Sequence, residues 1–156
     1  SKVSRTGFTT ALDVSAYSLM AMAGRAEPLM QARGGGSIVA LTYLGSERVT
    51  PGYNLMGVAK AALEAAIRYL AWDLGPQKIR VNGISAGPLR TLSARGVGNI
   101  NDMFTLIEEV APLRQNISQS DVGELAAFLC SPAAATLTGD IIYADAGFHV
   151  MGLGTM

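Results

Sequence analysis

Tyr43, Tyr53 and Lys60 are the residues whose types and spacing could do chemistry. Tyr43 ends the run Ser37-Ile38-Val39-Ala40-Leu41-Thr42-Tyr43, and the other two frame Tyr53-Asn54-Leu55-Met56-Gly57-Val58-Ala59-Lys60. Tyr53 and Lys60 are seven apart. On a helix of about 3.6 residues per turn that is two turns, so both side chains are expected on one face, with roughly 10 Å of axial rise between their Cα atoms. A phenol and an ammonium sharing a stripe suit carbonyl or enolate chemistry. The tyrosine can donate to a developing oxyanion, and a nearby cation lowers the phenol pKa. Taken alone, the spacing favours the plainer alternative of a surface Tyr and Lys that share a helix face.

The elements around these residues change that balance. The run 37–43 follows Gly34-Gly35-Gly36 and reads as a fully buried strand. After Lys60, the stretch from Ala61 to Leu74 is rich in helix formers and closes at Gly75-Pro76, which predicts a helix over about 53–74. Ile79-Arg80-Val81-Asn82-Gly83-Ile84-Ser85 reads as a second buried strand, followed by Ala86-Gly87-Pro88-Leu89-Arg90-Thr91. Strand, helix and strand with short links make a βαβ unit and imply a parallel sheet. In open α/β sheets ligands sit beyond the carboxyl ends of the strands. Tyr43 and the Gly87-Pro88 turn both fall at such ends, so the candidates converge on one site.

Elsewhere the chain predicts a long helix over about 9–33, with Pro28 inside it allowing a kink or break near Glu27. A long loop of about 86–100 leads to a helix of about 101–110. Ser120-Asp121 is the expected N-cap of a helix over about 121–130. Thr138-Gly139-Asp140 turns into a last strand at Ile141-Ile142-Tyr143-Ala144. The loop reads as a lid beside the site or as a disordered link.

The sequence has 156 residues, 49% of them hydrophobic and 15% charged, with 12 Lys+Arg against 12 Asp+Glu. That supplies one core, and the even charge offers no basic stripe for nucleic acid. Cys130 is the single cysteine, which excludes an internal disulfide, and with the lone His149 gives no metal cluster. Cys130 lies in the run Ala126-Ala127-Phe128-Leu129-Cys130 and is expected buried, as a small hydrophobe. His149 is expected to have a structural or surface role. No apolar run reads as a membrane span or a leader, so the expected setting is the cytoplasm.

Together these residues resemble the short-chain dehydrogenase/reductase superfamily, and within it the divergent enoyl-acyl-carrier-protein reductases. Common members carry Tyr-x3-Lys with a Ser about thirteen residues before the Tyr. Here Met56 stands four before Lys60 and Tyr43 stands thirteen before Met56, so the pattern is instead the enoyl reductases' Tyr43…Tyr53-x6-Lys60. Blocks 41–48, 80–91, 121–129 and 143–149 resemble the same family, over a span from about residue 7 to the C-terminus. The family's opening βαβ half, with its glycine-rich loop, has no counterpart in this sequence. Gly34-Gly35-Gly36 lies between a helix and a strand and reads as a C-cap and turn, and Gly96-Val97-Gly98 makes no G-x-G-x-x-G. The expectation is therefore the C-terminal catalytic portion, residues 1–156, of a single Rossmann-like doubly wound α/β domain, with the N-terminal half missing from this sequence. Ser1 in place of Met fits that expectation.

The resemblance implies reduction of the trans-2 double bond of an enoyl thioester on acyl carrier protein, with NADH as cofactor and NADPH as the alternative. It assigns catalysis to Tyr53 as the donor with Lys60 and Tyr43 beside it, cofactor binding to Lys60, Thr42, Gly87, Pro88, Leu89 and Thr91, and the substrate side to Tyr43, Tyr53 and Met56. It moves Ile100 and Met103 toward lining a lipid-like pocket, with core packing as the alternative. A homotetramer is implied, and the apolar tail from Phe148 to Met156 suits an interface. Two other readings remain. One is a reductase of carbonyl substrates, opposed by Ala40 where its Ser would stand thirteen before Tyr53. The other is a non-catalytic half-domain, supported by the absent glycine-rich loop.

Overall fold

The computed structural model describes residues 2–91 and 100–152, without the side chain of Ile100. Helix α1 (Arg5–Leu12) runs through a π-helical turn (Asp13–Tyr17) into α2 (Ser18–Ala32). Strand β1 (Gly36–Thr42), helix α3 (Leu55–Leu74) and strand β2 (Ile79–Ala86) follow, then α4 (Ile100–Val110), α5 (Gln119–Cys130) and β3 (Ile141–Ala144). The strands pair in the order β1-β2-β3, all parallel, with Ile38 opposite Val81 and Ser85 opposite Tyr143. This is the expected α/β, Rossmann-like sheet, and its helices cover both faces.

Alternation along the strands builds the two layers. Ile38, Ala40, Ile79 and Val81 face α2 and α3, where Leu63, Ile67, Leu70 and Leu74 complete one core cluster. Val39, Ile84 and Ile142 face α5, with Val122 and Leu129. Gly83 keeps α3 close to the sheet, because a Cβ there would lie 2.6 Å from Ile141 Cδ1 and 2.9 Å from Ile67 Cδ1. Asn82, fully buried in β2, donates from Nδ2 to Leu137 O (2.8 Å) and accepts at Oδ1 from Asp140 N. It thereby ties the start of β3 to the sheet's centre. Among the described residues no helix is long and apolar enough to cross a membrane.

Several sequence expectations change here. The first helix begins at Arg5 and continues through Pro28 to Ala32. Pro28 and Gly24 are both exposed, and Pro28 has no N–H to return to the Gly24 carbonyl one turn earlier. Gly34 and Gly35, with φ of 84° and 136°, close that helix as expected, returning N–H groups to Gln31 and Met30. Strand β1 is half-buried rather than fully buried, because it is the edge of the described sheet, and Leu41 is exposed. Helix α5 is capped by Ser118, not by Ser120. Ser118 and Asp121 exchange bonds in a capping box. Cys130 is exposed, contrary to expectation, because Leu129 takes the buried direction at this helix end and the next residue points about 100° away.

Candidate active site

Strand β1 delivers Leu41 and Thr42 to the carboxyl edge of the sheet, and Tyr43 continues in extended conformation before a 3-10 turn, Leu44–Ser46. The chain then loops to a tight turn holding Tyr53. Tyr53 N–H donates to Thr50 O, and Tyr53 O accepts from Met56 N, both at 3.0 Å. Asn54, at φ 44° and ψ −116°, breaks the helical path, so α3 starts only at Leu55. Tyr53 therefore precedes the helix that carries Lys60. The two-turn spacing does not bring these residues together; the turn does.

The ring of Tyr53 meets that of Tyr43 edge-on, with centroids 4.9 Å apart and planes at 68°. Beneath both lies Gly45, where a Cβ would stand 2.5 Å from Tyr53 Cδ1 and 3.2 Å from Tyr43 Cδ1. Lys60 Nζ donates to the Leu41 carbonyl at 2.9 Å, which anchors the ammonium at the strand end. Thr42 is buried, and its hydroxyl donates to Glu64 Oε1 at 2.6 Å. At the end of β2, Gly87 N–H donates to Ala144 O at 2.8 Å, and a Cβ on Gly87 would press on Asp145 Cα at 3.2 Å. The Gly87-Pro88-Leu89 turn is thereby fixed by β3. From α4, Met103 Sδ accepts from Tyr43 Oη at 3.4 Å, while Phe104 and Ile107 of the same stripe are buried in the core.

These groups surround one cleft of about 400 Å³. Tyr43, Tyr53, Met56, Lys60, Gly87, Pro88, Leu89, Thr91 and Met103 all line it, as does Thr42. Ile100 opens α4, but its side chain lies outside the described residues, as do 92–99 of the expected lid. A second cavity of about 270 Å³ lies across Tyr43 and Met103, between α4 and the segment from Asp145 to Gly152.

Burial raises the phenol pKa of Tyr53 to about 12, with Tyr43 adding to the rise. The expectation that a cation would lower it is overturned: burial and the neighbouring Tyr43 set the shift, and the Lys60 ammonium is bound to Leu41 O. Tyr43 is also raised, by burial, against a hydrogen bond with Thr50 that lowers it. Lys60 is lowered by burial, against the negative charge of Glu64, which raises it. Tyr143 goes up to about 12, through burial first and then its hydrogen bond to Glu47.

The phenols of Tyr53 and Tyr143 are neutral in the fold up to a higher pH than the ordinary value near 10. The stability this adds is fully present below about pH 10 and is lost as pH climbs toward about 12. Urea midpoints measured from pH 8 to 12 are expected to fall in that window, and less steeply in Tyr53→Phe.

Two features were not read from the sequence. Glu64 accepts hydroxyl bonds from both Thr42 and Ser46. Its signal was a lone carboxylate inside Ala61-Ala62-Leu63-Glu64-Ala65-Ala66-Ile67, four residues past Lys60. The second is a tie across the C-terminal segment. Tyr143 Oη donates to Glu47 Oε1, the Tyr143 ring stacks on His149 at 3.9 Å, and His149 Nδ1 lies 2.9 Å from the buried Asp145 carboxylate. Arg48 Nη1 donates to Met151 O at 2.7 Å beside it. His149 thus has a structural role, holding the tail against the loop that follows Tyr43.

A family model described as enoyl-(acyl carrier protein) reductase matches residues 1–149. An enoyl-acyl-carrier-protein reductase (NADH) of Nostoc sp. is 56% identical over 153 residues, which are 98% of this chain and 58% of that protein. An enoyl-acyl-carrier-protein reductase (NADPH) of Staphylococcus aureus is 55% identical over 97% of this chain and 58% of its own length. The crystal structure of the Bacillus cereus enoyl-acyl carrier protein reductase with NADP+ and indole naphthyridinone matches with a TM-score of 0.95 at 54% identity. That match covers 97% of this chain and 58% of that one. The chain spans less than two thirds of the length of these relatives. By sequence and by fold, the chain belongs to the enoyl-(acyl carrier protein) reductase family.

Proposed function

We propose that residues 1–156 are the C-terminal catalytic portion of one Rossmann-like domain of an enoyl-acyl-carrier-protein reductase, which reduces the trans-2 double bond of an enoyl thioester. The observation that carries this reading is the convergence of Tyr43, Tyr53 and Lys60 with the Gly87–Thr91 turn on one cleft at the carboxyl ends of β1 and β2. The activities of these relatives support it, with NADH as cofactor and NADPH as the alternative. An N-terminal half of the same enzyme, a homotetrameric assembly and a cytoplasmic setting complete the proposal.

The cleft fits the nicotinamide end of such a cofactor. Lys60 uses one of its three ammonium donors on Leu41 O, which leaves two for ribose-type hydroxyls. Pro88 and Leu89 give an apolar wall for a flat ring, and the backbone from Gly87 to Thr91 offers groups for a carboxamide. The Thr42 hydroxyl is committed to Glu64, so Thr42 contributes by shape and backbone. The cofactor, when bound, supplies the hydride that adds to Cβ of the substrate. As that happens the thioester carbonyl gains enolate charge, which needs a donor aimed at its oxygen. Tyr53 is that donor. With its pKa near 12 it keeps its proton at neutral pH and stabilises the oxygen by hydrogen bonding, and the enolate takes the proton that completes reduction at Cα from water. Tyr43 forms the wall beside it, and Met56 and Met103 face the acyl chain.

The test is oxidation of NADH and of NADPH by crotonyl thioester, with the protein as isolated and its intact mass recorded. Turnover is the expected result. Lys60→Met is expected to raise the cofactor Kd by about 10- to 100-fold, the scale of a lost bond to a charged group, as titration of cofactor fluorescence checks. Turnover of ketones without turnover of the enoyl thioester favours the carbonyl reductase reading. No turnover and no cofactor binding at a mass of 16.3 kDa leaves the non-catalytic half-domain.

A further inference from the structure

We propose that Glu64 is a positioning residue for this site: it ties both ends of the Tyr43 segment to α3 and places a carboxylate one helical turn from Lys60. The geometry stands by itself; the consequence for turnover rests on the reductase reading above.

Glu64 is 4% exposed, and an unpartnered carboxylate at such a place is costly. Among the described residues no ion pair closes on it. It is met instead by two hydroxyls on the same oxygen, Thr42 Oγ1 at 2.6 Å and Ser46 Oγ at 2.5 Å. Those lengths are in the range for a hydroxyl donating to an ionised carboxylate. Thr42 and Ser46 bracket Tyr43, Leu44 and Gly45. One helical turn earlier on the same face, Lys60 holds the carbonyl of Leu41. Two residues of α3, four apart, therefore fix positions 41, 42 and 46, and Tyr43 and Gly45 between them carry the contacts to Tyr53.

The charge adds to the tie. Burial disfavours the Lys60 ammonium, and Glu64 is the group whose charge opposes that effect. The other titratable groups near this pair are Tyr53 and Tyr43 from the turn and strand end, Glu47 and Arg48 from the loop, and Tyr143 from β3. Substitution of Glu64 removes none of these groups.

A merely structural Glu64 and a positioning Glu64 differ in what happens to Lys60. The sequence contains Lys2, Lys60 and Lys78, so ε-carbon-labelled lysine gives few NMR signals from this chain, with Lys60→Met as the assignment control. The protein as isolated is titrated without substrate or cofactor. In Glu64→Gln the Lys60 midpoint is expected to move to lower pH. In Glu64→Asp, which keeps the charge, it is expected to stay at the wild-type value. With crotonyl thioester, kcat of the Gln variant is expected to fall roughly 10- to 100-fold, the scale for a misplaced site. KM should change little, and the alkaline limb of the rate profile should move down with the Lys60 midpoint. A folded Gln variant with an unmoved midpoint overturns the proposal. Should the Gln variant not fold, Glu64→Asp decides: a moved midpoint or an unchanged kcat overturns it. Wild-type protein without enoyl turnover defeats the reductase reading alone, because the Lys60 titration still tests Glu64.

Discussion

Tyr53→Phe lowers kcat for enoyl thioester reduction by about 100- to 1000-fold and leaves KM within a few-fold, the expected cost of one oxyanion donor. The substitution removes one oxygen and keeps the ring. The ring's packing over Gly45 and its edge contact with Tyr43 survive, so the fold of the turn survives too. The loss belongs in kcat because the hydrogen bond strengthens only as charge builds on the thioester oxygen. Tyr43→Phe is the informative contrast. Its hydroxyl already donates to Met103 Sδ, so its removal costs less, and mainly on the substrate side. Steady-state kinetics of both variants, with circular dichroism as the control for folding, check the pair. A Tyr53→Phe loss below about tenfold would mean that another donor reaches the oxygen.

The βαβ frame was legible because its signals are local. Apolar runs bounded by Gly34-Gly35-Gly36 and Gly75-Pro76 mark β1, α3 and β2 within a residue or two of their ends. Strand ends then fix where a cleft must open, and the candidates Tyr43, Lys60, Gly87 and Pro88 all line it. What stayed hidden depends on distant partners or on a single dihedral angle. Asn54 at φ 44° moves Tyr53 off the helix, and nothing in Tyr-Asn-Leu-Met states that angle. Glu64 looked like a helix former in an alanine-rich run. Its role depends on hydroxyls 18 and 22 residues away in sequence. Cys130 shows the limit of run-based burial: an apolar stretch on a helix says that some residues are buried, and packing selects which.

The same limit hides the two glycines on which Tyr53 depends, and they give the second large expected effect. Gly57, in the first turn of α3, lies against the backbone of Gly45: a Cβ there would stand 2.5 Å from Gly45 O. Gly45 in turn has Tyr53 Cδ1 at 2.5 Å from its own would-be Cβ. Neither contact requires an unusual φ; the requirement is space. Gly57→Ala should gain up to about 1 kcal/mol from helix propensity, and less in a first turn. It should lose about 1–3 kcal/mol from overpacking. A carbonyl oxygen cannot rotate away as a side chain can, so the clash wins, and Tm should fall by about 2–8 °C. The larger effect is on catalysis. Relief of the clash pushes Gly45 and the Tyr53 ring upon it, and a shift near 1 Å can cost about 100-fold in rate. Gly123→Ala in α5, where a Cβ meets nothing within 4 Å, is the control and should stabilise by up to about 1 kcal/mol with activity unchanged. Thermal melts and kcat of both variants decide it. A Gly57→Ala protein as stable and as active as wild type would show that the close approach of α3 to the turn does not hold Tyr53 in place.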